Sequence, residues 1–98
     1  MKKVYQLESF NLIHFYRDGY FIGAFQLTAS HGVIEYEPTR TNMIFVNIKV
    51  DGGCTHFFCD KFIIRPNVSQ EAVFEVEIDK DGVINGNNIW SWNKSSYY

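Results

Sequence analysis

The sequence predicts an all-β fold: one antiparallel sandwich or small barrel of about seven or eight strands, filling residues 1–98 as a single domain. Three observations carry this reading. Hydrophobic residues recur mostly with period two, the spacing of a strand with one face in a core. Turn-forming runs recur at short intervals, among them Asp18-Gly19, Asp51-Gly52-Gly53 and Asp81-Gly82. The chain also carries nine Phe, six Tyr and two Trp, rings that suit a pleated, half-buried surface. No long helical period supplies the crossovers that a parallel sheet needs. Ninety-eight residues hold one hydrophobic core and leave no room for a second.

In chain order, KVYQLES (3–9) alternates loosely and reads as an edge strand. FNLIHFYR (10–17) and YFIGAFQLTA (20–29) flank Asp18-Gly19, the dipeptide favoured where both central turn residues need positive φ, so they form a hairpin. Gly23 inside the second run marks a bulge or the close passage of another segment. Ser30-His31-Gly32 reads as a turn, VIEYE (33–37) as a strand, and Pro38 to Asn42 as a loop. MIFVNIKV (43–50) sets Ile44, Val46, Ile48 and Val50 on one face. CTHFFCDKFIIR (54–65) reads as one long or bent strand. NVSQE (67–71) is the place for a short helical turn, and EAVFEVEID (71–79) is a further strand. VING and NIWSWN, after Asp81-Gly82, supply one or two more.

The formal net charge of −2, with nine scattered basic residues, excludes a direct nucleic-acid binder, which needs clustered Lys and Arg. No apolar run reaches the ~20 residues of a membrane span and no leader is evident, so a cytoplasmic protein without membrane contact is expected. There reduced thiols are the rule.

Glu77, Asp79, Asp81 and Gly82 have the spacing of a calcium loop, but its closing position falls on Asn88, which has no carboxylate to give. The preceding AVFEVEI also has strand period. The stretch therefore reads as an acidic strand and turn. Cys54, His56 and Cys59 invite zinc, yet on a strand Cys59 points away from the other two. A Cys54–Cys59 disulfide asks five extended residues to span far less than their length, so both thiols read as buried side chains. No cofactor or metal is expected. No nucleophile elbow or phosphate-cradling glycine loop is present, so an enzyme is not expected either.

Five of the eleven acidic residues fall between Glu71 and Asp81. With Phe74, Val76 and Ile78 facing the core, Glu75, Glu77 and Asp79 project together, about 7 Å apart along the strand. Glu35 and Glu37 form a shorter pair of the same kind. Such a row attracts a basic surface and orients it, while Tyr36, Trp90 and Trp92 supply candidate aromatic anchors. In length, mild acidity and strand content the chain resembles the small β-rich immunity proteins that bacteria pair with contact-dependent growth-inhibition toxins. That resemblance implies an immunity protein or antitoxin covering the basic active-site surface of a cognate toxin, such as a nuclease. It carries over no functional residue. The alternative is a non-catalytic module that binds a glycan or small ligand, with Trp90 and Trp92 as a stacking platform. Open edge strands also allow pairing into a homodimer.

Overall fold

The computed structural model describes residues 2–87. They form nine strands: β1 (Lys3–Glu8), β2 (Leu12–Arg17), β3 (Tyr20–Gln26), β4 (His31–Pro38), β5 (Ile44–Val50), β6 (Gly53–Cys59), β7 (Lys61–Arg65), β8 (Phe74–Ile78) and β9 (Ile84–Asn87). Sheet one has the order β1-β4-β5-β6 and sheet two the order β3-β2-β7-β8-β9, with every pairing antiparallel. The sheets pack face to face without closing into a barrel, so of the two predicted architectures the chain adopts the sandwich.

Three aromatic contacts join the sheets. The Phe57 ring of β6 stacks on Phe15 of β2 at 3.9 Å, Tyr36 of β4 meets Phe62 of β7 edge-on at 5.2 Å, and Tyr5 of β1 stacks on Phe74 of β8 at 4.8 Å. Around them the alternating Ile13, Ile34, Ile44, Val46, Ile48, Ile64 and Val76 are fully buried. Each such side chain contributes about 1.5–3 kcal/mol through area removed from water.

The Asp18-Gly19 hairpin forms as the sequence predicts. Asp18 and Gly19 have φ of 53° and 83°, both positive as a type I′ turn requires. Both readings of Gly23 hold. Phe15 lies opposite Gly23 and Tyr16 opposite Phe21, which leaves Ile22 as the extra residue of a bulge. A Cβ on Gly23 would lie 3.2 Å from the Phe57 ring.

Four expectations change. Residues 54–65 are two strands in different sheets. At Asp60 the chain ends its pairing with β5, donates its amide to Tyr16 O at 3.0 Å and accepts from Ile78 N at 3.0 Å. The inward positions shift from Phe57 and Cys59 to Phe62 and Ile64, the change of phase that carries a strand from one sheet to the other. Phe10 is not a strand residue: its φ is 70° and it is exposed, while buried Asn11 makes the crossing from β1 to β2. Asn11 Oδ1 accepts from Glu8 N at 2.9 Å, and its Nδ2 donates to Pro66 O at 3.1 Å. His31 and Gly32 belong to β4 rather than to a turn. Residues 67–70 form a non-helical turn, closed by Gln70 N donating to Asn67 O at 3.2 Å.

Candidate functional site

The outer face of sheet two follows from strand alternation and register. Ile13, Phe15, Phe62, Ile64, Val76 and Ile78 point into the core, so His14, Tyr16, Lys61, Ile63, Glu75 and Glu77 point out. The register aligns them in rows across the sheet. One row runs Phe21, Tyr16, Lys61, Glu77, Asn85, and the next runs Ala24, His14, Ile63, Glu75, Asn87. The face thus grades from aromatic on β3 and β2 to acidic on β8 and amide on β9.

Its aromatic end is built by the hairpin. Phe21 is 59 % exposed, a large area for a ring to leave in water, while Tyr20, opposite Arg17, points to the other side of the sheet. Phe21 meets His14 edge-on at 5.5 Å and Tyr16 at 6.0 Å. Lys61 Nζ lies 5.4 Å from the centre of the Tyr16 ring, within cation–π range. Desolvation, with the Arg65 charge beside it, holds the His14 pKa below the usual histidine value, so the imidazole is neutral at pH 7. At the acidic end, Glu77 is exposed and Glu75 half-buried. Among the described residues, the ion pairs are those of Glu35 with Lys2 and Lys49, so neither Glu75 nor Glu77 is paired with a described cation.

The other predicted residues are placed differently. Asp79 does not extend the acidic row. Its Oδ1 accepts from the backbone amides of Asp81 (2.9 Å) and Val83 (3.0 Å), closing the β8–β9 turn. Those amide bonds hold its carboxyl below the usual range. Asp-Gly at 81–82 thus continues a hairpin, with Gly82 at φ 80°. Glu35 and Glu37 alternate with buried Ile34 and Tyr36 on β4, so they lie on the outer face of sheet one, across the sandwich from Glu75 and Glu77. The five carboxylates do not form one surface. Glu35 is also neutralised: Lys49 at 3.2 Å and Lys2 at 3.5 Å clasp it and lower its pKa, the Lys49 hydrogen bond most of all.

Tyr36 is no exposed anchor. It is 5 % exposed against Phe62, and burial raises its phenol pKa. Trp90 and Trp92, the platform of the glycan-module reading, lie outside the described residues. Of the two thiols, Cys59 is buried as expected, but Cys54 is exposed.

The aromatic end, Tyr16 and Phe21, escapes the sequence reading, although its signal is present. Once Asp18-Gly19 fixes the hairpin and Ile13 and Phe15 are assigned inward, His14 and Tyr16 are left on the opposite face. The two-residue turn then sets Phe21 opposite Tyr16 on that face, and the bulge at Ile22 re-phases only the residues that follow it, Gly23 to Gln26.

Among the described residues no helix is long and apolar enough to cross a membrane. Comparison with protein-family models, curated proteins and solved structures finds no match to the chain. The class defined here is therefore the one that fold and surface define: an all-β sandwich with an aromatic-to-acidic outer face on its five-stranded sheet.

Proposed function

We propose that this chain is a small protein-binding inhibitor of the immunity-protein or antitoxin kind, which covers the basic active-site surface of a cognate toxin, such as a nuclease, with the outer face of sheet two. The observation that carries this reading is the placement of Glu75 and Glu77, unpaired among the described residues, on the same outer face as Tyr16 and the exposed Phe21. Carboxylates at the margin of such a surface steer a cationic partner and fix its orientation. Rings that lose water on contact supply most of the affinity. The acidic element is Glu75 with Glu77, without Asp79.

The test immobilises the protein and captures partners from a lysate of its source organism at low and high salt. Any captured basic protein is then assayed for its own activity, with the chain added as inhibitor. E75K/E77K and F21A are run alongside; all three side chains lie on the outer face of sheet two, away from the core. The expected result is inhibition by the native chain that weakens as salt rises and falls about tenfold or more in each variant. Inhibition equal in native chain and variants, or capture without inhibition, overturns the reading.

A further inference from the structure

Across the sandwich from that surface, the outer face of sheet one ends in strand β6, and there Cys54 and His56 sit side by side. Both are exposed, and Cys54 Sγ lies 3.9 Å from His56 Nε2. A tetrahedral zinc, with Zn–S of about 2.3 Å and Zn–N of about 2.0 Å, holds two such donors roughly 3.6 Å apart. The pair is therefore within a few tenths of an ångström of a chelating geometry. The imidazole is held there by Phe45, whose ring stacks on it at 5.3 Å and 26°. Lys49, directly opposite Cys54 across β5, has its charge matched by Glu35 at 3.2 Å.

One chain supplies half a site. Among the described residues no three of His, Cys, Asp or Glu gather closely enough to hold a metal. The strand that carries the pair is, however, the open edge of its sheet, paired to β5 alone among the described strands. Arg17 donates to Phe58 O at 2.7 Å from beyond that edge, so the Phe58 carbonyl points outward. Backbone groups two residues apart on a strand point the same way, so those of His56 and Cys54 also face the open edge. They are the groups that a second β6 would use.

We propose that two copies of this chain pair antiparallel along β6, centred on Thr55, and bind one zinc ion between them through Cys54, His56, the partner's Cys54 and the partner's His56. In that register Cys54 lies directly opposite the partner's His56, with Cβ atoms about 5 Å apart and all four side chains on one face. Two thiolates and two neutral imidazoles balance the charge of the ion and complete its tetrahedron. Each zinc bound displaces two thiol protons. This pairing leaves the outer face of sheet two open.

The test measures the mass of the reduced full chain in solution during zinc titration. The expected mass doubles from 11.5 kDa as zinc reaches one ion per two chains, and a chelator restores the monomer. Cobalt in place of zinc gives the strong visible absorption of a tetrahedral thiolate site. C54S and H56A each abolish doubling and absorption while keeping the native circular-dichroism spectrum, since both side chains are exposed. H31A, which removes an exposed histidine elsewhere on sheet one, dimerises like the native chain. A mass unchanged by zinc, a ratio of one ion per chain without doubling, or doubling that survives C54S overturns the proposal.

Discussion

Asp79 looks like a surface charge in the sequence and acts as a turn residue in the fold. Its carboxylate is held below its usual pKa by the amides of Val83 and Asp81, so its stabilising effect is present above the unfolded-state value, about 3.9. That effect is lost as pH falls through the lower folded value. D79N, which keeps the shape and removes the charge, is expected to melt below the native chain at pH 7. The gap should close as pH falls through the lowered folded value, and melting curves from neutral to strongly acidic pH decide it: a constant gap would mean the charge contributes nothing. Cys59 shifts in the other direction. Burial, with Asp60 nearby, pushes its thiol up to about 12, while an unfolded thiol ionises near pH ~8.5. Stability from this group is thus complete below pH ~8.5 and lost as pH rises toward 12. Native protein at pH 8 should react with a thiol reagent at Cys54 alone, and Cys59 should react only after unfolding. C59A should flatten the alkaline fall in melting temperature. Tyr36 belongs with these core groups. Tyr36→Ala should cost about 3–5 kcal/mol, as loss of a large buried ring does, and a loss of partner binding in that variant would report unfolding.

The strands were legible where local chemistry decides them. Asp18-Gly19 names its turn because few other dipeptides take two positive φ values. Residues 43–50 alternate cleanly because one face of β5 is core and the other is not. The crossings between sheets were harder, since period two does not say which sheet a strand joins. Yet the corner at Asp60 left a trace: Asp60 and Lys61 stand consecutively between inward Cys59 and Phe62, breaking the alternation where β6 becomes β7. Phe10 left none, as an aromatic residue at φ 70° contradicts every local preference and is held there by Asn11 and its long-range partners. Gly32 reads as a turn residue in the sequence because glycine usually marks one. In β4 it is needed for space: a Cβ there would lie 3.0 Å from Val50, 3.1 Å from the Lys49 carbonyl and 3.2 Å from Leu27. Because one of those neighbours is backbone, G32A should destabilise by about 1–3 kcal/mol through overpacking. G53A, with open space around its Cβ, should be nearly neutral. Denaturant melts of the two variants compare them directly, and equal midpoints would remove the packing argument.

Across the whole molecule, the acidic row was half legible because alternation placed Glu75 and Glu77 correctly, whereas sequence distance hid that Glu35 and Glu37 belong to the opposite sheet. Strand order has a kinetic consequence as well. Pairs β2–β3, β4–β5, β5–β6, β7–β8 and β8–β9 join neighbours in the chain, but β1 must find β4 and β2 must find β7. Closing those long loops costs entropy before any contact offsets it, so folding should fall in the millisecond-to-second range of sandwiches. Phe62 is central to the step, because its ring meets Tyr36 of sheet one at 5.2 Å and Phe15 of β2 at 6.1 Å, joining both sheets and the β2–β7 pair. Ile84 lies on β9 at the margin of sheet two, where contacts can form after the sheets have docked. Phe62→Leu is therefore expected to slow folding, with most of its destabilisation in the folding rate, while Ile84→Val should act mainly by speeding unfolding. Stopped-flow chevrons of both variants measure this division. If Ile84→Val slows folding in the same proportion as Phe62→Leu, docking of the two sheets is not the step that limits folding.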